Sequence, residues 1–155
     1  AGDQSNRRSI SGMVTSINTG PISYRSQQQS ITALSTTEAE YVAASMATQE
    51  LVWLIRFLDE LQVSFSEKAT LRCDNQSALK LIKNPEFHQR TKHIEIRFHF
   101  IRESYQRGMF NVEYVQTADQ KADVFTKALT AEKHQNLCDL IGCVALNGED
   151  QLPST

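Results

Sequence analysis

The sequence predicts an α/β fold, with one mixed central sheet flanked by helices in a single domain. Three observations carry that prediction. Short runs at 12–18, 22–30, 70–75 and 110–115 read as strands, several of them alternating apolar and polar residues. Apolar residues at helical spacing fill the stretches between most of them. The resulting order is hairpin, long helix, strand, helices, strand, helices, in which helices must cover a sheet. A chain of 155 residues with 40% hydrophobic residues is long enough for one buried core. The domain is expected over 1–142, followed by a polar tail over 143–155.

Each element has a local reason. "GMVTSIN" is followed by "TGP", whose glycine and proline supply turn chemistry, and "ISYRSQQQS" reads as the return strand. Ser35 and Glu38 have the spacing of a capping box, in which each side chain satisfies an otherwise orphaned N–H. The helix that follows places Tyr41, Ala44, Leu51, Leu54, Ile55, Leu58 and Leu61 at helical spacing, over roughly 25 residues. "TLRCDN" reads as a strand ending at an Asp-Asn pair, and "QSALKLIKN" as a short helix that stops before Pro85. In "RTKHIEIRFHFIRESYQRG", Ile94, Phe98, Ile101 and Tyr105 share a helical face and Gly108 is a stop signal. "FNVEYV" alternates as a strand, and "ADQKADVFTKAL" and "AEKHQNLCDLIG" read as helices.

The bulk properties exclude some functions. A net charge of −2 argues against strong non-specific nucleic-acid binding, so any such contact needs a local basic face. Cys73, Cys138 and Cys143 are an odd number without metal-ligand spacing, which suits a reducing cytoplasmic or nuclear compartment. No apolar run reaches about 18 residues, so no membrane span is expected. The chain opens on Ala1, which suggests a fragment or a processed product.

With Glu38 assigned to the cap, Glu40 in the first turn has either helix-end electrostatics or chemistry to do. Asp74 follows a strand, where open α/β sheets place ligands, although Asp74 or Asn75 could instead cap the next helix. Asp123 follows Asp119, which has the position of an N-cap. Three carboxylates at element ends can converge on Mg²⁺, a hard cation that prefers oxygen. Two such ions about 4 Å apart can activate water and stabilise a leaving oxygen in phosphodiester cleavage.

The strings "NRRSISGMV", "GPISYRSQQQSITALSTTEAEYVAAS", "LRCDNQSALKLIKNPEFHQRTKHIEIRFHFIRE" and "VEYVQTADQKADVFTKAL" resemble the RNase H domain of copia-type LTR retrotransposon polyproteins. The resemblance runs from about residue 6 to residue 142, in order and with the expected spacing. It implies an RNase H-like fold with a five-stranded mixed sheet, and four acids that bind two Mg²⁺ or Mn²⁺ ions. The implied activity cuts the RNA strand of an RNA–DNA hybrid during reverse transcription. The resemblance assigns Glu40, Asp74 and Asp123 as catalytic metal ligands. The family's first catalytic aspartate lies on a strand just before "AGD", where this chain begins, so that strand and one ligand are expected to be missing. Asp3 would fall in the loop after it.

That strand pairs in the family between the hairpin and the strand ending at Asp74. Its absence would leave backbone groups unpaired, each costing roughly 1–3 kcal/mol if buried. A segment swapped from a second copy, a strand-donating protein or the chain's own "CVAL" (143–146) would fill the gap, by β-augmentation where a partner donates the strand.

Arg90, Lys92, His93, Arg97, Arg102 and Arg107 surround one helix and would suit either a solvated face with ion pairs or phosphate contact. The resemblance favours phosphate contact by Arg90, Lys92 and Arg97; His93 would suit a surface histidine, a phosphate donor or a proton carrier, and is assigned no catalysis. Asn75 and Gln76 are placed to meet an RNA 2′-hydroxyl, although Asn75 is equally suited to capping. Trp53 and Phe57 are expected in the core, and Cys73 as a small buried apolar residue. Two functions follow. One is a metal-dependent ribonuclease acting on hybrids held by an adjacent reverse transcriptase domain. The other is an inactive, domesticated remnant that accepts a strand from a protein partner.

Overall fold

A computed structural model describes residues 8–18, 20–84 and 92–143. Strand β1 (Ile10–Ile17) pairs antiparallel with β2 (Gly20–Gln28), with a register shift between Thr15 and Ser16. Helix α1 spans Thr36–Glu60, capped by Ser35, whose hydroxyl accepts from the Glu38 N–H at 3.1 Å. Glu38 reaches back, but its Oε2 accepts from the Leu34 N–H at 2.6 Å rather than from Ser35. Strand β3 (Thr70–Cys73) leads to α2 (Gln76–Lys83) and α3 (Lys92–Gln106), and then to β4 (Asn111–Tyr114), which pairs parallel with β3. A parallel pair needs such a crossover, and the two helices supply it. Gly108 follows α3 at a φ of 69°, a left-handed turn that glycine enters without a Cβ clash.

The expected single mixed sheet is instead two separate pairs, β1–β2 and β3–β4, among the described residues. Helix α1 connects them by packing, because it touches both β1 and β3. The hairpin and the strand before Asp74 do not pair with each other. "CVAL", proposed to fill the space between them, lies outside the described residues after Cys143, as does the tail from 144 onwards.

The main core gathers Tyr41 and Ala44 of α1, Leu71 and Cys73 of β3, Ala78, Leu79 and Ile82 of α2, Ile101 of α3, and Phe110 and Val112. Burying such side chains is worth about 1.5–3 kcal/mol for each large aliphatic or Phe, the dominant favourable term in folding. Trp53 and Phe57 are not in it. They are 57% and 42% exposed and stack on each other at 5.2 Å. Leu61, the C-cap of α1, is exposed as well, whereas Val52 is buried and Leu51, Leu54, Ile55 and Leu58 are half-buried.

The stretch "ADQKADVFTKAL" forms two short 3₁₀ turns rather than a helix: η1 (Thr117–Asp119) and η2 (Lys121–Phe125). Gln120 between them is extended, at φ −70° and ψ 96°, and interrupts helical propagation. Helix α4 (Ala131–Ile141) follows and buries Leu137 and Ile141. The η2 turn lies against β1, with the Phe125 ring stacked on Tyr24 at 5.3 Å and its carbonyl accepting from Ser26 Oγ at 2.7 Å. Gly12 makes this approach possible: a Cβ there would sit 2.6 Å from the Ala122 carbonyl oxygen. No helix among the described residues is long and apolar enough to cross a membrane.

Candidate metal centre

Glu40 lies one residue beyond the first turn of α1, not within it, because the helix starts at Thr36. This placement turns Glu40 towards β3 while Glu38 serves the cap. Tyr41, next in sequence, is fully buried and anchors that turn of the helix in the core. Burial pushes its hydroxyl pKa up, against the opposing effect of Arg102, which hydrogen-bonds to it. A second anchor is Gln29, 2% exposed, whose Nε2 donates to Ser11 Oγ at 2.9 Å and to the Ala39 carbonyl at 2.8 Å. Gln29 thereby ties β1 to the helical turn that carries Glu40.

Asp74 directly follows β3, at the carboxyl end of the parallel pair. The adjacent Asn75 caps α2, its side chain accepting from the Ala78 N–H at 3.0 Å, so Asp74 is released from capping. Gln76 is exposed on the first turn of α2. Glu40, Cys73 and Asp74 each bring a ligand atom within 4.8 Å of the others. Cys73 is 5% exposed, and burial, reinforced by the charges of Glu40 and Asp74, pushes its thiol up to about 11. A neutral thiol is a poor ligand for a hard cation, so the useful donors here are the two carboxylates.

Asp123 is carried by η2, not by a helix, and its side chain is 10% exposed. Asp119 does not cap η2; it is exposed, and the Gln120 side chain accepts from the Ala122 N–H at 3.5 Å instead. Asp123 stands outside the group formed by Glu40, Cys73 and Asp74. Its Oδ2 pairs with Lys127 Nζ at 2.8 Å and with Lys133 Nζ at 3.0 Å. It is nevertheless close enough to act on Glu40, whose pKa is raised by burial first, then by Asp74 and by Asp123, and lowered by Lys127. The oxygen donors of Glu40 and Asp74 suit Mg²⁺ or Mn²⁺, and Asp123 would be the third donor once free of its lysines.

Two of the arginines around α3 have partners among the described residues. Arg102 is 8% exposed and bound to Tyr41, so it does not present its charge to a phosphate. Arg107 pairs with Glu103 at 2.6 Å on the surface. Arg90 and the side chains of Lys92, His93 and Arg97 lie outside the described residues. Sequence reasoning missed Lys127 and Lys133. The first could have been found from its i,i+4 spacing to Asp123, whereas the second is brought in only by the packing of α4 on η2.

Relatives of this chain are found among mobile elements. A retrovirus-related Pol polyprotein from transposon TNT 1-94 of Nicotiana tabacum is 42% identical over 142 residues, covering 92% of this chain and 11% of the relative. The corresponding polyproteins from transposons RE2 and RE1 of Arabidopsis thaliana are each 39% identical, over 93% and 92% of this chain and 10% of their own length. Over most of its length this chain is homologous to plant transposon Pol polyproteins. It spans about a tenth of the length of these curated relatives. A secreted RxLR effector protein 161 of Plasmopara viticola is 56% identical over 54 residues, 35% of this chain and 38% of that protein. No family model and no solved structure matches the chain.

Proposed function

We propose that this chain is the RNase H-like part of a transposon-derived copia-type Pol polyprotein, and that its chemistry is divalent-metal hydrolysis of the RNA strand of an RNA–DNA hybrid. The observation that carries the reading is the meeting of Glu40 and Asp74, with the charge of Asp123 acting on Glu40 from a third element. Acids at element ends are usually caps, but here Ser35 and Asn75 do the capping and leave these two over.

Glu40 and Asp74 would hold the first Mg²⁺ or Mn²⁺ and Asp123 would join them for a second. Bound there, the ions supply the positive charge that activates water and neutralises the leaving oxygen. Gln76, exposed at the start of α2, and the second side-chain group of Asn75 are available to a ribose 2′-hydroxyl. Hybrid phosphates would be met by Arg90, Lys92, His93 and Arg97, with an adjacent reverse transcriptase domain supplying the remaining grip. The test is cleavage of a labelled hybrid with Mn²⁺ by this chain and by Asp74→Asn. We expect metal-dependent cutting that Asp74→Asn lowers by at least about a hundredfold, as loss of a charge-stabilising group does. Cutting that survives the substitution unchanged would refute the assignment.

A second reading is a strand-accepting binding module, inactive as a nuclease. The separation of β1–β2 from β3–β4 among the described residues favours it, because within those residues each pair presents an edge that a further strand could join. Such a strand could come from a second copy or from another protein. Absence of cutting by the native chain together with formation of a stable complex would select this reading.

A further inference from the structure

Lys127, just after η2, and Lys133, on α4, converge on a single oxygen of Asp123, Oδ2, at 2.8 Å and 3.0 Å. Lys133 Nζ also donates to the Thr117 carbonyl at 3.4 Å, so one ammonium group joins α4, η1 and η2. These are not loose surface pairs: the carboxylate is 10% exposed, and the two lysine side chains are 34% and 31% exposed. A carboxylate so far withdrawn from water needs a compensating charge. Two ammonium groups supply it, and a divalent cation competing for the same oxygen must displace them. Lysine is suited to such a reversible hold, being a point charge on a flexible stem.

We propose that Lys127 and Lys133 are internal counter-ions that keep Asp123 out of the metal-binding set and limit the resting chain to one divalent cation, held by Glu40 and Asp74. The inference rests on the metal site proposed above. The three carboxylates already face two positive charges, so a first divalent ion more than offsets the remaining negative charge and a second finds Asp123 occupied. Release of the lysines, for instance onto substrate phosphates, would free the third ligand only when a substrate is present. They are positioning residues, acting through Asp123.

The experiment is a Mn²⁺ titration of the full chain, followed by the electron paramagnetic resonance signal of free Mn²⁺. It compares the native chain, Lys127→Met with Lys133→Met, and Lys127→Arg with Lys133→Arg, each checked for folding by circular dichroism. The native chain is expected to bind one ion, the Met pair two, and the Arg pair one again, because charge is restored. Two ions on the native chain, or one on a folded Met pair, would overturn the proposal and leave the nuclease reading intact. No bound Mn²⁺ in any form would overturn both. Should the Met pair not fold, acetylation of lysines in the native chain decides. Lys127 and Lys133 should react several-fold more slowly than exposed Lys83, and one equivalent of Mn²⁺ should leave that protection in place. Equal rates, or protection lost with the first ion, would overturn the proposal.

Discussion

Glu38 and Glu40 differ by two positions and do different work. Glu38 closes the helix start at the surface, whereas Glu40 faces Asp74 from a half-buried position. The spacing made the division legible, since side chains two apart cannot share a helical face. What Glu40 faces was not legible, because Asp74 and Asp123 come from far along the chain. The arrangement has a consequence for stability in metal-free buffer. Burial, Asp74 and Asp123 raise the Glu40 pKa above its ordinary 4.5, with Lys127 opposing. The folded state therefore binds this proton more tightly than the unfolded chain does, and stability falls as pH rises from 4.5 through the raised value. Glu40→Gln carries no such charge. With chelator present, its melting temperature should exceed the native one by a few degrees at neutral pH, and the gap should close below pH 4.5. A constant gap across that range would show that the charge is not the cause.

At the scale of elements, β1 is held between α1 and η2. Ser11 is tied through Gln29 to α1, and Gly12, on the opposite face of the same strand, receives η2. Gly12→Ala would place a Cβ 2.6 Å from both the Ala122 carbonyl oxygen and Thr126 Cγ2. The backbone of η2 must then withdraw, at a cost of about 1–3 kcal/mol, as overpacking usually exacts. Urea unfolding should register that loss, and the pairing of Asp123 should loosen with it. The same contacts explain why η2 is not the helix its sequence suggests. Gln120 breaks the run, and Tyr24 and Ser26 hold Phe125 in place from another element. Periodicity within a segment has no access to such long-range contacts. The long helix α1 shows the converse: its cap and apolar spacing are local, and it is observed over Thr36–Glu60.

For the whole molecule, the core lies under α1, α2, α3 and the β3–β4 pair, away from the Trp53 end of α1. Phe110→Ala should therefore cost about 3–5 kcal/mol, since the ring is 1% exposed. Trp53→Ser should cost about 1 kcal/mol or less, limited to its stacking on Phe57. Calorimetry of the two variants would check both, and similar losses would mean that the exposed end of α1 is covered in solution. By itself the sequence determined the positions of the hairpin, α1, β3, α2, α3, β4 and α4, because strand alternation, capping and helix stops are local signals. It also singled out Glu40, Asp74 and Asp123 as acids left over from, or competing with, capping. The tertiary structure alone decided that the strands form two pairs, that Trp53 faces solvent, that Arg102 is spent on Tyr41 and that two lysines hold Asp123. Each of these depends on which distant segment lies alongside, and no local signal carries that.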